Sequence, residues 1–293
     1  MKNILVVGSL NMDYTIYVDE FPLEGETIYG VNRYIQPGGK GENQAVALSK
    51  SKLVNSHLLG AIGSDKDGSE IANVLKQNKV ISHLVIKENA ETGNATITVN
   101  GKSENEIIII EGANGKLLPN DIDISLIEKV DAVLLQNEIP EETNAYVIKK
   151  AKELGKVVFY NPAPYRKVSD DILAKVDYLL PNRVEFKKLT GEDDLAIGAR
   201  KLLDLGVKNI LVTLGTEGSI LFNKNEKIKV NAYKVNAIDT VAAGDTFIGY
   251  FVANLINGKS AKEAMDRASK ASSICVSRKG SLISIPLGEE LDD

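Results

Sequence analysis

With 293 residues, 43% of them hydrophobic, and a formal net charge of -5, the chain can bury one large α/β core and lacks the basic surface of a nucleic-acid binder. A single cysteine, Cys275, excludes an internal disulfide and fits a reducing cytoplasm. No apolar run approaches the roughly 20 residues of a membrane span, and MKNILVVGSLNMD turns polar with no small-residue cleavage site, so neither an anchor nor a signal peptide is expected.

The run NILVVGS ends at Gly8 and has the pattern of a strand buried on both faces. DYTIYVDEF and ETIYGVNRYI follow, rich in β-branched and aromatic residues, and predict an antiparallel hairpin. PGGKGENQAVALSK predicts a glycine turn opening a helix. GNATITVNGKSENEIIIIEG, interrupted at Asn100-Gly101, predicts a second hairpin. Buried strands recur at AVLLQ (132–136), KVVFYN (156–161), DYLLPN (177–182) and NILVTLG (209–215). Helices lie between them, at EETNAYVIKKAKELG and DLAIGARKLLDLG, each closed by a glycine. TFIGYFVANLI reads as a buried helix stopped by Gly258. Strands alternating with helices predict an α/β fold, a parallel sheet sandwiched by helices on both faces. The hairpin segments, about 14–35 and 93–112, predict a small discontinuous β-sheet lid on a single domain spanning 1–293.

Three stretches carry chemistry. In GSLNMD, Asn11 and Asp13 are two apart and share a side if the chain stays extended; they suit neighbouring hydroxyls, or equally an Asx-turn. In PGGKG, the glycines allow close ligand approach, the Walker A spacing is absent, and Lys40 is not needed to make a turn. In DTVAAGDTF, Ala242, Ala243 and Gly244 precede the buried helix, so unpaired N–H groups and a dipole end form an anion cradle. Asp245 beside that anion is either an ordinary first-turn acid or a base. VTLGTEGSILF offers two more glycines for close backbone approach. Asn182 and Glu185 in PNRVEF have the spacing of one helical face, suited to a hydrated Mg²⁺ near phosphates or to a cap and its neighbour. His57 and His83 stand apart from every motif and read as structural.

Taken together, GSLNMD, PGGKGENQAVA, EGAN, LLQNEIP, YNPAP, LPNRVE, VTLGTEGS, IDTVAAGDTFIGYF and SRKGSLISIP resemble the ribokinase family of sugar kinases over essentially the whole chain. The resemblance implies ATP-dependent phosphorylation of D-ribose at its 5-hydroxyl, with deoxyribose, another free sugar or a nucleoside as the alternative acceptor. It implies that Asn11, Asp13, Gly39, Lys40, Asn43 and Glu138 contact the sugar. Asp245 matches the base and Ala242, Ala243 and Gly244 the anion hole. Asn182, Glu185, Thr213, Gly215, Thr216, Gly218, Gly244 and Ser269 fall on the nucleotide side, with Mg²⁺ joining ATP near Asn182 and Glu185. Asp239, Val241, Cys275, Arg278, Gly280 and Ser284 match an activating K⁺ site, several through carbonyls. The small sheet implies a lid and the contact of a homodimer, in a cytoplasmic enzyme. Departures are Arg183, where the family often has an acid, GSLIS at 280–284 in place of GAQPS, and Ser269, where relatives vary.

In the mechanism this implies, Asp245 takes the hydroxyl proton as the oxygen attacks the γ-phosphorus. A nucleoside pocket would want an aromatic stacking surface and a sugar-phosphate pocket extra cations; FPLEGETIYG supplies glutamates instead. No G-x-G-x-x-G follows a strand, which sets aside a nicotinamide dehydrogenase.

Overall fold

The computed structural model describes residues 1–102 and 104–292, and its first strand, β1 (Lys2–Val7), shows why the N-terminal run is apolar throughout. Ile4 and Val6 face one hydrophobic core while Leu5 and Val7 face the other. A strand covered on both sides has no polar face. The chain leaves this sheet at Gly8 and continues through β2 (Asn11–Tyr17), β3 (Asn32–Gly38), α1 (Lys40–Lys50), β4 (Val54–Gly63), α2 (Lys66–Gln77) and β5 (Ile81–Lys87). Next come β6 (Gly93–Val99), β7 (Asn105–Ile110), α3 (Ile124–Lys129), β8 (Ala132–Gln136), α4 (Glu141–Glu153), β9 (Val157–Asn161) and α5 (Asp170–Leu173). The last third holds β10 (Tyr178–Leu179), α6 (Arg183–Thr190), α7 (Leu195–Leu205), β11 (Asn209–Thr213), β12 (Ser219–Asn223), β13 (Lys227–Val230), α8 (Ala243–Ile256) and α9 (Ala261–Val276).

Among the described residues, nine strands form the main sheet in the order β13-β12-β11-β10-β9-β8-β1-β4-β5. From β11 to β5 every neighbouring pair is parallel. The sheet is thus mostly parallel, as expected, with one antiparallel edge where β12 runs against both β11 and β13. The turn through Gly215 (φ 60°) and Gly218 (φ 91°) is too short for a crossover, so it can only make a hairpin. Helices α1, α2, α8 and α9 pack on one face through residues such as Val46, Ile71, Phe251 and Ala268. Helices α3, α4, α5 and α7 cover the other through Ile127, Val147, Leu173 and Leu202.

The second sheet has the order β3-β2-β6-β7. Each hairpin is antiparallel, and β2 pairs in parallel with β6 to join them. Its first segment starts three residues earlier than the predicted 14, and residues 26–31 of ETIYGVNRYI are not in a strand. Gly25 takes a positive φ of 79° in the connection, and β3 pairs in a later register, Asn11 opposite Gly38 and Tyr17 opposite Asn32. The outer strands expose Tyr34, Ile35 and Ile107 to Ile110, with Ile108 67% accessible. This sheet meets the main body where Gln36 accepts from the N–H of Ser281 (3.3 Å) and Tyr14 donates to Asp67 (2.5 Å).

Candidate active site

The carboxyl ends of β9, β10 and β11 and the first turns of α1, α6 and α8 converge on one cleft of about 190 Å³. Crevices at such strand ends are where open α/β sheets bind ligands. Lys40, Asn161, Asn182, Glu185, Thr213, Gly244 and Asp245 all line it.

Asn11 and Asp13 do share a side, but because they open β2 of the small sheet, not because β1 continues. Asn11 accepts through Oδ1 from Nδ2 of Asn114 (2.8 Å), which also bonds both backbone polar groups of Leu10. The NH₂ of Asn11 has no partner among the described residues. Asp13 has no hydrogen-bond partner among them either, and only 9% of it is accessible. Gly38 makes room for it: a Cβ there would lie 2.2 Å from Asp13 Oδ2. Burial, then the charges of Glu138 and Asp245, raise the Asp13 carboxyl to about 7, against the opposing effect of Lys40.

One oxygen of Glu138 accepts from the Ser9 hydroxyl (2.5 Å) and from the N–H of Lys40 (2.9 Å), tying the start of α1 to the loop after β8. The ammonium of Lys40 has no hydrogen-bond partner among the described residues. The Asp245 carboxylate chiefly holds its charge above the usual lysine range; burial opposes this, and Glu138, Glu185 and Asp13 reinforce it.

Asp245 is buried in the first turn of α8, and both its oxygens are engaged. Oδ2 accepts from Nδ2 of Asn43 (3.0 Å) and Oδ1 from Nε2 of Gln44 (2.8 Å). Asn43, expected on the sugar, therefore spends its amide donor on Asp245, while its carbonyl oxygen is buried without a partner among the described residues. Ala242 starts the helix in the left-handed region (φ 59°) with no side-chain cap. Of the three residues expected to form the anion hole, Ala243 turns its N–H to the carbonyl of Thr240 (3.3 Å). Among the described residues, the backbone N–H groups of Ala242, Gly244 and Asp245 at this turn have no hydrogen-bond partner.

On the other wall, Asn182 and Glu185 form a reciprocal capping box at the start of α6, with both bonds 2.8 Å. The other Glu185 oxygen has no partner among the described residues, and burial raises this carboxyl. Among the described residues no group of three or more His, Cys, Asp or Glu gathers as a divalent-ion cage. A single free carboxylate oxygen suits Mg²⁺ that keeps most of its water and bonds mainly to phosphates. Thr213 pairs with Asn182 across the strand ends. Gly215, Thr216 and Gly218 shape the turn that follows, and Arg183 reaches across it to Glu217 (2.7 Å) in a solvent-exposed ion pair. Ser269 lies on α9 with its hydroxyl on the carbonyl of Asn231 (3.3 Å) and does not line the cleft.

Asp239 joins the two loops expected at the K⁺ site, accepting from the N–H of Val241 (3.0 Å) and of Gly280 (3.0 Å). The buried Cys275 thiol contacts the Ser284 hydroxyl (3.1 Å), and the Cys275 carbonyl accepts from the N–H of Arg278 (3.1 Å). The Arg278 guanidinium pairs with Glu290 (2.5 Å), so only its carbonyl could serve an ion. The Asp239 carboxylate and the carbonyls of Val241 and Cys275 are oxygen donors of the kind a hard cation takes, and each already accepts a hydrogen bond within the protein. His57 and His83 bond each other (3.1 Å) on neighbouring strands, away from the cleft.

Sequence reasoning missed Gln44, Asn114 and Ser9 as members of this site. Each stood inside a quoted motif, and only the folded network assigns it a partner.

A family model described as pfkB family carbohydrate kinase matches residues 1–287. The chain is 35% identical to a ribokinase of Staphylococcus aureus, over 99% of each chain. It is also 35% identical to a deoxyribokinase of Salmonella typhi, over 99% of this chain and 98% of that one. The structure of Arabidopsis thaliana ribokinase complexed with ribose and ATP superposes with a TM-score of 0.92 at 33% identity, covering 99% of this chain and 97% of that one.

Proposed function

The chain belongs to the pfkB family of carbohydrate kinases, and on that premise we propose that it transfers the γ-phosphoryl group of ATP to the 5-hydroxyl of D-ribose. The observation that carries the reading is Asp245, a buried carboxylate at a helix N-terminus with amides on both oxygens, which lines one cleft with Asn182 and Thr213 and lies near enough to Asp13 for its charge to act on that carboxyl. Asn11 donates to sugar hydroxyls, while Asp13 and Glu138 accept from them. Asp245 takes the 5-hydroxyl proton as that oxygen attacks. The N–H groups of Ala242, Gly244 and Asp245 meet the charge that develops on the transferring group, and Lys40 offsets it from the α1 side. ATP lies against Asn182, Thr213 and the Gly215–Gly218 turn. Glu185 holds the hydration shell of Mg²⁺, which neutralises phosphate charge when bound. Asp239 and the carbonyls of Val241, Cys275, Arg278 and Gly280, with Ser284, hold a K⁺ that orders the loop before α8. The small sheet is the lid, its exposed isoleucine edge meets a second copy, and the need for ATP suits a cytoplasmic enzyme.

Deoxyribose is the second reading, because a deoxyribokinase is as similar to this chain as a ribokinase is. A coupled assay with ATP and Mg²⁺ over ribose, 2-deoxyribose, hexoses and nucleosides decides between them. Ribose is expected to give the highest kcat/KM, and a clear preference for any other acceptor rejects the assignment.

A further inference from the structure

Behind Asp245 lies a chain of buried amides, Gln44, Gln136 and Asn161, of which only Asn161 reaches the cleft. Gln44 and Gln136 are fully buried, and Asn161 is 4% accessible. Asn161 donates through Nδ2 to the carbonyl of Leu180 (2.8 Å), which fixes its Oδ1 as an acceptor. Gln136 donates through Nε2 to Oε1 of Gln44 (2.6 Å), which fixes the Gln44 amide with its NH₂ turned the other way. The two hydrogens of that NH₂ go to Asp245 Oδ1 (2.8 Å) and Asn161 Oδ1 (3.1 Å). Every polar atom of Gln44 is therefore satisfied, and its orientation is dictated at both ends. Gln136 and Asn161 are the last residues of β8 and β9, the rigid centre of the main sheet.

We propose that Gln44 is a positioning residue for the base, and that Gln136 and Asn161 set the direction in which its amide points. A free carboxylate can rotate about its Cβ–Cγ bond. Asn43 and Gln44 hold one oxygen each, so the plane of Asp245 is fixed before substrate arrives, which is the preorganisation a base needs. The inference rests on Asp245 as the base and deepens that reading.

The test is Gln44→Met, which keeps length and apolar volume but removes the donor. We expect kcat for ribose phosphorylation to fall about tenfold or more, with KM for ribose and for ATP within twofold and the melting temperature little changed. Gln136→Met removes the group that orients Gln44 and should give a smaller loss of the same kind, which keeps the test open if Gln44→Met does not fold. In an Asp245→Asn background, Gln44→Met should cost no further turnover, because it acts only through that carboxylate. Wild-type kcat in a folded Gln44→Met variant overturns the inference, as does a loss confined to KM. If Asp245→Asn itself keeps turnover, the base assignment fails instead, and the two failures are distinguishable.

Discussion

Replacing Asp13 by asparagine should make the empty enzyme more stable while destroying its sugar site. The carboxyl has an ordinary value of 3.8 in the unfolded chain and about 7 in the fold, and burial is the largest cause. The folded state thus holds the proton to higher pH than the unfolded chain does. The stability associated with that proton is fully present below about pH 4 and is lost as pH climbs toward about 7. At 1.36 kcal/mol per pH unit the gap corresponds to about 4 kcal/mol at pH 8. Asp13 keeps 9% accessibility, so contact with water trims this to roughly 2–4 kcal/mol. Asparagine has the same shape and no charge to desolvate.

Urea unfolding without ribose, at pH 8 and at pH 5, measures it. The Asp13→Asn midpoint should exceed that of the wild type by about 1 M at pH 8, taking a slope near 3 kcal/mol/M, and the difference should narrow at pH 5. Saturating ribose should reverse the order, because only the wild type gains binding energy. Calorimetry of the wild type should show proton release on binding ribose near neutral pH, since hydroxyls bond more strongly to the charged carboxylate than to its protonated form. A variant no more stable than the wild type at pH 8, with an unchanged slope, refutes the reasoning.

Asp245→Asn should lower kcat on the order of 10²–10⁴-fold while melting temperature and ribose affinity hold; near wild-type turnover would reduce Asp245 to a helix-start residue. Gly41→Ala should destabilise by about 1–3 kcal/mol or more, because a Cβ there would lie 2.6 Å from the backbone of Gly8 and Ser9, where α1 crosses the end of β1; an unchanged urea midpoint contradicts this. Exchanging K⁺ for Na⁺ at constant ionic strength should lower activity, and equal rates argue against an ion between Asp239 and the 280–284 loop. Ile108→Lys should turn a sedimenting dimer into a monomer, since Ile108 sits 67% accessible on the edge strand; a wild type that sediments as a monomer removes the claim.

How much of this was legible in the sequence depends on the range over which each constraint acts. Strands buried on both faces leave uninterrupted apolar runs, so Ile4–Val7 and Ala132–Leu135 were readable. β4 was not, because Asn55, Ser56, His57 and two glycines break its pattern, and β5 is an edge strand with Ile81 and Ile86 exposed. The Asn182–Glu185 box spans three residues, and its spacing alone suggested the cap that is observed. Gln44 meets Asp245 across 201 residues and Asn114 meets Leu10 across 104. Nothing local marks such a partner, since its residue type is set only by what the fold brings opposite it. At the expected anion hole, the left-handed Ala242 turns the N–H of Ala243 back to Thr240, a bond that no local pattern in the sequence announces.

The charges of the cleft pose a problem that the hydrogen bonds resolve. Four carboxylates, those of Asp13, Glu138, Glu185 and Asp245, surround one lysine where a polyphosphate must enter. Three of them are already solvated by the protein. Glu138 takes the Ser9 hydroxyl and a backbone N–H, Glu185 takes the N–H of Asn182, and Asp245 takes two amides. The first turns of α1 and α8 add their positive dipole ends at the same place. Asp13 alone has nothing, and Asp13 is the group held at about 7. In the empty site it can shed its charge at little cost near neutral pH, and a sugar hydroxyl gives that charge a partner. On the proposed reading, ribose should therefore bind in a way that leaves the repulsion felt by ATP nearly unchanged: the carboxylate that becomes charged is the one the sugar would cover, and Lys40, whose ammonium has no hydrogen-bond partner among the described residues, would face the phosphates.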